Sequence, residues 1–286
     1  RLVDKRKVRR DRADVFCTTE EGVRGKRALE WGVVDAIAPR SKFDDATRER
    51  AEMLAKQSEG IAKGPGISLG ALQPKIEEAE PGTTTLEYRH VSLEIDQVKR
   101  TAELVISAPT ETQPKTADEV QAAGGDQWSL RAFRELDDAL LRLRVNHGRV
   151  GLVVVRTRGE MARVIAADRG LAQSADHWLA NEILRFQARV LRRFDYTAKS
   201  FFALSDEGSC FAGCLFELLL ASDRSYMLLD DDEKVAVTLG PNNRGRFPMG
   251  TGISRLEAHY YGMPEQVGKV LEIDAPIPTE QAEELG

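Results

Sequence analysis

The stretch Glu207–Asp223, reading E-G-S-C-F-A-G-C-L-F-E-L-L-L-A-S-D, restricts the possible folds more than any other part of the chain. A short β-run, Lys199–Leu204, leads into it, Gly208 marks a tight turn, and Gly213 opens a segment that is apolar on nearly every side. A helix apolar all round has to be buried. Its first N–H groups lack intrahelical partners and carry the positive end of the helix dipole. Glycine at that point lets a ligand oxygen approach the backbone closely, an arrangement suited to an anionic oxygen such as a thioester enolate. Glycine before a buried helix equally serves turning and packing alone, and the stretch by itself leaves both readings open.

The remaining composition narrows the class. With 286 residues the chain has room for one large or two modest domains, and its 42% apolar content is that of an ordinary globular protein. A net charge of −5 argues against a nucleic-acid partner for the surface as a whole. The three cysteines, Cys17, Cys210 and Cys214, imply no disulfide framework, and Cys210 and Cys214 sit in an apolar run as core thiols would. His90, His147, His177 and His259 are scattered, so no metal site is expected. No run approaches the roughly 18 apolar residues of a membrane helix, and no signal peptide opens the sequence, so a cytoplasmic protein without a membrane partner is expected. The first residue is not methionine and the final Glu283–Gly286 reads as helix interior, so both ends are expected to be cuts in a longer polypeptide.

Along the chain, residues 1–16 are basic, with Lys5, Arg6, Lys7, Arg9, Arg10 and Arg12 interleaved with Asp4, Asp11 and Asp14. Such a run can hold phosphates, or can be a solvated helix face with local acidic partners. Thr18–Gly22 reads as a helix start, Gly32 as its end, Val33–Ile37 as a short strand, and Asp44–Lys56 as a further helix. From Glu59 to Gly82 glycine and proline accumulate, predicting an irregular connector, with a short strand at Leu86–Val91. Val91–Asp96 and Ala102–Ile106 then read as a hairpin and residues 109–127 as a polar loop. Leu130, Phe133, Leu136, Leu140 and Leu143 lie at helical spacing behind a cap at Ser129. Val150–Val155 reads as a buried strand, and Asp176–Phe194 as a second amphipathic helix. This β-β-α-β-α-β-turn-α order predicts an α/β architecture with right-handed crossovers.

Several of these stretches resemble the crotonase (enoyl-CoA hydratase/isomerase) family. Gly208–Asp223 is similar to its G-x-A-x-G-G-G-x-E-L-A-x-x-C-D signature, and Leu239-Gly240 with Pro248–Leu256 is similar to its L-G…P-x-x-G-G-x-x-R-L segment. Ala28–Ile37 resembles the family's late A-x-x-x-G-L-V-D-x-V, so an end-of-module pattern precedes a start-of-module pattern. The resemblance therefore implies a crotonase-like ββα spiral in two tandem modules. These are the tail of the first (1–58), a linker (59–90) and most of the second (91–286), truncated at its C-terminus. Asp4–Cys17, Glu21–Ala28, Glu207–Gly213 and Asp230–Glu233 carry the likeness further, toward the benzoyl-CoA-dihydrodiol lyases.

That resemblance implies a lyase of aerobic benzoate breakdown. It would open the ring of 2,3-dihydrodihydroxybenzoyl-CoA, or its 2,3-epoxide, with water to 3,4-dehydroadipyl-CoA semialdehyde and formate. No metal or redox cofactor is implied, since coenzyme A arrives on the acyl-CoA substrate, and the expected assembly is a homodimer or other homo-oligomer. By position in the motif, Gly213 would supply an oxyanion N–H and Glu217 an acid/base carboxylate. Gly208 with Lys5, Arg6 and Arg9 would contact the substrate, the basic run through the CoA phosphates. The match is degraded: Cys214 and Leu215 replace two glycines, Ala236 falls near a second glutamate position, and Arg158–Asp168 replaces the first oxyanion loop. The resemblance also implies that the catalytic glutamates lie just before the segment with which this chain begins, so the fragment alone is expected to be inactive. Glu217 has a second reading as the ion-pair partner of a nearby arginine such as Arg224. Two other functions stay open: another crotonase-type hydratase or isomerase, and a non-catalytic scaffold or dimerisation module.

Overall fold

The computed structural model describes residues 2–3, 5–58, 66–229 and 234–286. The chain divides into two compact units, residues 1–66 and 67–286.

Among its described residues the first unit forms the α-helices α1 (Arg10–Thr18), α2 (Gly25–Glu30) and α3 (Phe43–Gln57), with a 3₁₀ turn at Arg40–Lys42 before α3. Two expectations fail here. Thr18 and Thr19 close α1 rather than open a helix, because their hydroxyls donate back to the carbonyls of Asp14 and Val15. Val33–Ile37 forms no strand. An isolated strand would leave its backbone groups unpaired. Instead Gly32 turns at φ +73°, and the N–H groups of Val33 and Val34 both close onto the Ala28 carbonyl.

The second unit is built on a seven-stranded sheet whose spatial order follows the sequence. Its strands are β1 (Lys75–Glu80), β2 (Thr83–Glu87), β3 (Val91–Asp96), β4 (Thr101–Ser107), β5 (Leu152–Arg158), β6 (Ser200–Ser205) and β7 (Arg224–Met227). The first four form an antiparallel meander, while β4 to β7 run parallel. The connections carry α4 (Ala117–Ala123), α5 (Trp128–Asn146), α6 (Met161–Gln173) and α7 (Trp178–Asp195). After β6 come a 3₁₀ turn (Gly213–Leu215) and α8 (Phe216–Leu220). Beyond β7 the chain adds β8 (Ala236–Val237), α9 (Arg255–His259), α10 (Pro264–Leu271), β9 (Ile277–Pro278) and α11 (Thr279–Leu285), with β8 and β9 pairing antiparallel.

Burial follows the two periodicities. Val91, Leu93 and Ile95 on β3, with Ala102, Leu104 and Ile106 on β4, are buried on one face, and their alternate neighbours are not. Phe133, Leu136, Leu140 and Leu143 of α5 and Leu179, Ile183, Val190 and Phe194 of α7 recur at helical spacing and join the same core. The fold is thus mixed α/β, as the alternation of elements predicted.

Four local expectations are corrected. The stretch read as a linker, 59–90, contains β1 and β2. Its Pro81-Gly82 is a hairpin turn, and Thr83–Thr85 supplies the β-branched residues of a strand. The polar loop 109–127 contains α4, capped by the Thr116 hydroxyl, which accepts the Glu119 N–H. Gln127, rather than Ser129, caps α5, its Oε1 accepting the Leu130 N–H at 2.8 Å. The replacement segment Arg158–Asp168 largely belongs to α6. The Asp230–Glu233 part of the resemblance lies outside the described residues. Among the described residues no helix is long and apolar enough to cross a membrane.

Gly170 shows how tightly α6 is seated: a Cβ there would lie 1.9 Å from the Pro114 carbonyl oxygen. Gly170→Ala is expected to cost about 1–3 kcal/mol through forced backbone movement, read as a fall in the urea midpoint. An unchanged midpoint would show that the α6 approach is looser than described.

Candidate functional site

The turn at the end of β6 is held by side chains. The Asp206 N–H donates to Ser209 Oγ, and Ser209 N–H returns to the Asp206 carbonyl. Gly208 takes φ +81° between them, and its carbonyl accepts the N–H of Gly159 at the end of β5. Arg156 and Arg158 both pair with the Asp206 carboxylate, fixing the loop across the strand ends. The chain then runs inward through Cys210, whose N–H meets Thr157 Oγ1 at 2.8 Å, and Phe211–Ala212, which lie against Thr238.

At Gly213 the backbone turns at φ +49°, and a Cβ would fall 2.2 Å from Asp168 Oδ2, so only glycine fits. The N–H groups that follow are all spoken for. Gly213 donates to the Thr238 carbonyl at 2.9 Å, Cys214 to Asp168 Oδ2 at 2.6 Å, and Leu215 and Phe216 to the Ala212 carbonyl. The expected oxyanion donor, Gly213, therefore has its N–H committed inside the protein. The oxygen beside the helix start belongs to the chain itself, on the Asp168 carboxyl.

Asp168, on α6, is wholly buried among Val164, Ala167 and Leu171. Burial pushes its carboxyl up to about 7, against the lowering effect of the Cys214 hydrogen bonds, with the nearby Glu217 adding a smaller upward push. Among the described residues its Oδ1 has no hydrogen-bond partner, nor has Oδ1 of Asn242, whose Nδ2 donates to the Asp168 backbone carbonyl at 3.1 Å. This acid arrives through space from α6, and the only sequence signal for it is a carboxylate on an otherwise apolar helix face.

Glu217 is buried at 3% exposure and both its oxygens are engaged. Oε1 accepts from Asn243 Nδ2 at 2.8 Å and Oε2 from Arg255 Nη1 at 3.0 Å. Arg255, itself 2% exposed, also grips Asp195 at the end of α7 through Nε and Nη2, and donates to the Phe247 carbonyl. Asn243 further ties the Gly213 carbonyl, and its own Oδ1 accepts the Gly240 N–H. Burial raises the Glu217 pKa, opposed first by Arg255 and then by Asn243. The arginine paired with Glu217 is thus Arg255; Arg224 is exposed and caps the Asp223 carbonyl. In chemical terms this cluster binds the 240–255 segment to α7 and α8.

Lys5, Arg6 and Arg9 belong to the first unit, and Gly208, Gly213 and Glu217 to the second. Arg6 donates to the Gly32 carbonyl and pairs with Asp35, Arg9 pairs with Asp11, and Lys5 is exposed. Of the three basic residues expected to meet substrate, Arg6 thus links distant parts of its own unit, and Arg9 is engaged locally with Asp11. Among the described residues no group of three or more His, Cys, Asp or Glu side chains is placed to hold a metal ion.

Two measurements follow from the buried charges. An acid whose folded pKa exceeds its unfolded value binds more protons when folded, so stability falls as pH rises between the two. For Asp168 the window runs from 3.8 to about 7, which at 1.36 kcal/mol per unit is about 4 kcal/mol. Asp168→Asn keeps an acceptor for Cys214, so melting curves from pH 4 to 8 should fall less for the variant than for the parent; parallel curves would contradict the burial argument. Arg255→Met leaves Glu217 and Asp195 as unpaired buried acids and should lose about 3–5 kcal/mol by chemical denaturation. A loss under about 1 kcal/mol would mean that the cluster is hydrated.

No protein-family profile matches the chain. The chain is 42% identical over 261 residues to benzoyl-CoA-dihydrodiol lyase of Aromatoleum evansii, the match covering 91% of this chain and 46% of that protein. It therefore spans about half the length of the curated relative it matches. Solved structures similar to it include an enoyl-CoA hydratase of Geobacillus kaustophilus HTA426, with TM-score 0.45, 14% identity, and 71% and 68% of the two chains covered. Another is an enoyl-CoA hydratase/isomerase of Xanthobacter autotrophicus Py2, with TM-score 0.42, 16% identity, and 70% and 65% covered.

Proposed function

We propose, on the premise that this chain belongs with benzoyl-CoA-dihydrodiol lyase by sequence, that the protein carrying it is a CoA-thioester lyase. The observation that carries the reading is 42% identity sustained along 91% of the chain. The finer reading is ring opening of 2,3-dihydrodihydroxybenzoyl-CoA, or its 2,3-epoxide, with water to 3,4-dehydroadipyl-CoA semialdehyde and formate. Opening a ring beside a thioester drives negative charge onto the thioester oxygen, which two backbone N–H donors would stabilise by about 3–4 kcal/mol each. Carboxylates would move protons between water and the ring hydroxyls. The coenzyme enters on the substrate, and the proposal calls for no metal or redox group.

Within that reaction we assign the 67–286 unit a supporting part. The Gly213 cradle offers no spare N–H, and Asp168 already occupies the position of an incoming oxygen. Glu217 has both oxygens in a buried ion pair, which suits anchoring better than proton transfer. The oxyanion donors and acid/base groups then come from residues other than Gly213 and Glu217. Of Lys5, Arg6 and Arg9, all exposed, Lys5 is best suited to CoA phosphates, since Arg6 and Arg9 already hold carboxylates.

The test compares the 286-residue chain with a version extended to the full length of its relative, both given the dihydrodiol thioester. Formate and the semialdehyde are expected from the extended protein, and none from the 286-residue chain. Formate release by the shorter chain would overturn the supporting role. Hydration of crotonyl-CoA without formate from either would replace the lyase reading with a hydratase.

A further inference from the structure

Asp168 lies where α6 meets α7 and the 3₁₀ turns Gly213–Leu215 and Pro241–Asn243. It is wholly buried, and among the described residues one backbone donor reaches its carboxyl, the Cys214 N–H at Oδ2. Two titratable groups face it. The Cys214 thiol lies beside the carboxyl, and Glu217 on α8 adds a nearby acid, already paired with Arg255. The other polar neighbours are neutral. Pro241–Asn243 offers Asn242 and Asn243, and α7 offers Gln187, wholly buried beside the same thiol. Among the described residues both amide atoms of Gln187 lack hydrogen-bond partners. On α4, Asp118 and Glu119 are exposed, and the buried Glu135 of α5 is held by Arg131 and the His90 N–H.

No lysine or arginine among the described residues pairs with Asp168. An ionised carboxylate there would have a single N–H donor, a weak thiol donor and no counter-charge, which the interior penalises heavily. A carboxylic acid is neutral, and Oδ1, which receives no donor among the described residues, is the oxygen that can carry its proton. The hydrogen bond from Cys214 to Oδ2 is made by either form, so the Gly213 turn closes on this acid without needing its charge.

We propose that Asp168 is a proton-operated latch on the Gly213 turn: closed, it is a neutral acid with its proton on Oδ1, and when the turn opens onto water that proton leaves to solvent. The O–H bond broken in the side chain is formed in water or buffer, and closing takes the proton back. The closed acid keeps its proton up to about 7, whereas the open, hydrated one ionises near its ordinary 3.8. Between these limits each opening releases one proton, so opening becomes about tenfold easier per pH unit. Above about 7 both forms are ionised and the effect stops. Acid therefore fastens the turn and neutral pH loosens it.

The protein's own thiols test this. Cys17 is exposed and Cys214 buried, so a thiol reagent meets Cys214 only through opening, while Cys17 gives the pH response of an ordinary thiolate. The 286-residue chain is labelled with dithiodipyridine from pH 5 to 8, and the peptide carrying each cysteine is followed by mass spectrometry. The ratio of the Cys214 rate to the Cys17 rate is expected to rise about tenfold per pH unit and to level off near pH 7. A ratio independent of pH would overturn the proposal. So would Cys214 labelling that steepens with low urea as much as global unfolding does, because the whole chain rather than the turn would then be opening. In Asp168→Asn the ratio should be flat with pH, and a persistent rise there would be equally fatal. If Asp168→Asn fails to fold by circular dichroism, Glu217→Gln decides: the rise should persist and level off at lower pH, since a neighbouring negative charge is gone. A flat ratio in Glu217→Gln would assign the proton to Glu217 and overturn the latch.

Discussion

A carboxylate withdrawn completely from water, Asp168, determines the arrangement of the second unit's turn region. It takes the Cys214 N–H at 2.6 Å and leaves no room for a side chain at residue 213. That contact obliges the backbone to turn left-handed at Gly213 and brings Gly240 against the same spot, where a Cβ would meet the Gly213 Cα at 3.0 Å. From there Asn242 and Asn243 reach back to Asp168 and Glu217, and Arg255 closes the set onto Asp195. Polar groups from four separate parts of the chain thus bond to one another in the interior, with Asp168 Oδ1 and Asn242 Oδ1 left over among the described residues. Each depends on the others, because a lone member would be an unpaired buried group.

The same contacts separate the look of a reactive site from its chemistry. A glycine-opened buried turn is present where the sequence places it, and its dipole is oriented as an anion would need. What occupies it is an internal carboxylate, so the electrostatic advantage is spent on folding. A neutral Asp168 would fit that environment better than an ionised one, in keeping with burial as the first cause of its raised pKa.

How much could be read beforehand depended on range. The β3–β4 hairpin and helices α5 and α7 were legible because their apolar residues repeat every two or every three to four positions. Strands β1 and β2 were not, since the surrounding glycines and prolines of 59–82 outweigh the short run Thr83–Thr85. Val33–Ile37 had the composition of a strand but, among the described residues of its unit, no strand to pair with. At the candidate site, Gly213 was legible as a turn, whereas Asp168 bonds Cys214 across 46 residues and Arg255 bonds Glu217 across 38. No local pattern encodes such pairings; they exist only once α6, α8 and the 240–255 segment are stacked.

The sheet changes character at β4, and this bears on the order in which the chain assembles. Strands β1 to β4 pair with immediate sequence neighbours through short turns. Strands β5 to β7 can join only after intervening helices have crossed over, closing loops of far greater length. The meander is therefore the half that can form quickly, and β4 serves as the template edge on which the slower parallel half is laid. The burial of Asp168, Glu217 and Arg255 belongs to the end of that sequence, since their partners lie on elements flanking or following β6. Until then the growing parallel edge stays unpaired, and that interval is when the chain is most open to pairing with the wrong strand.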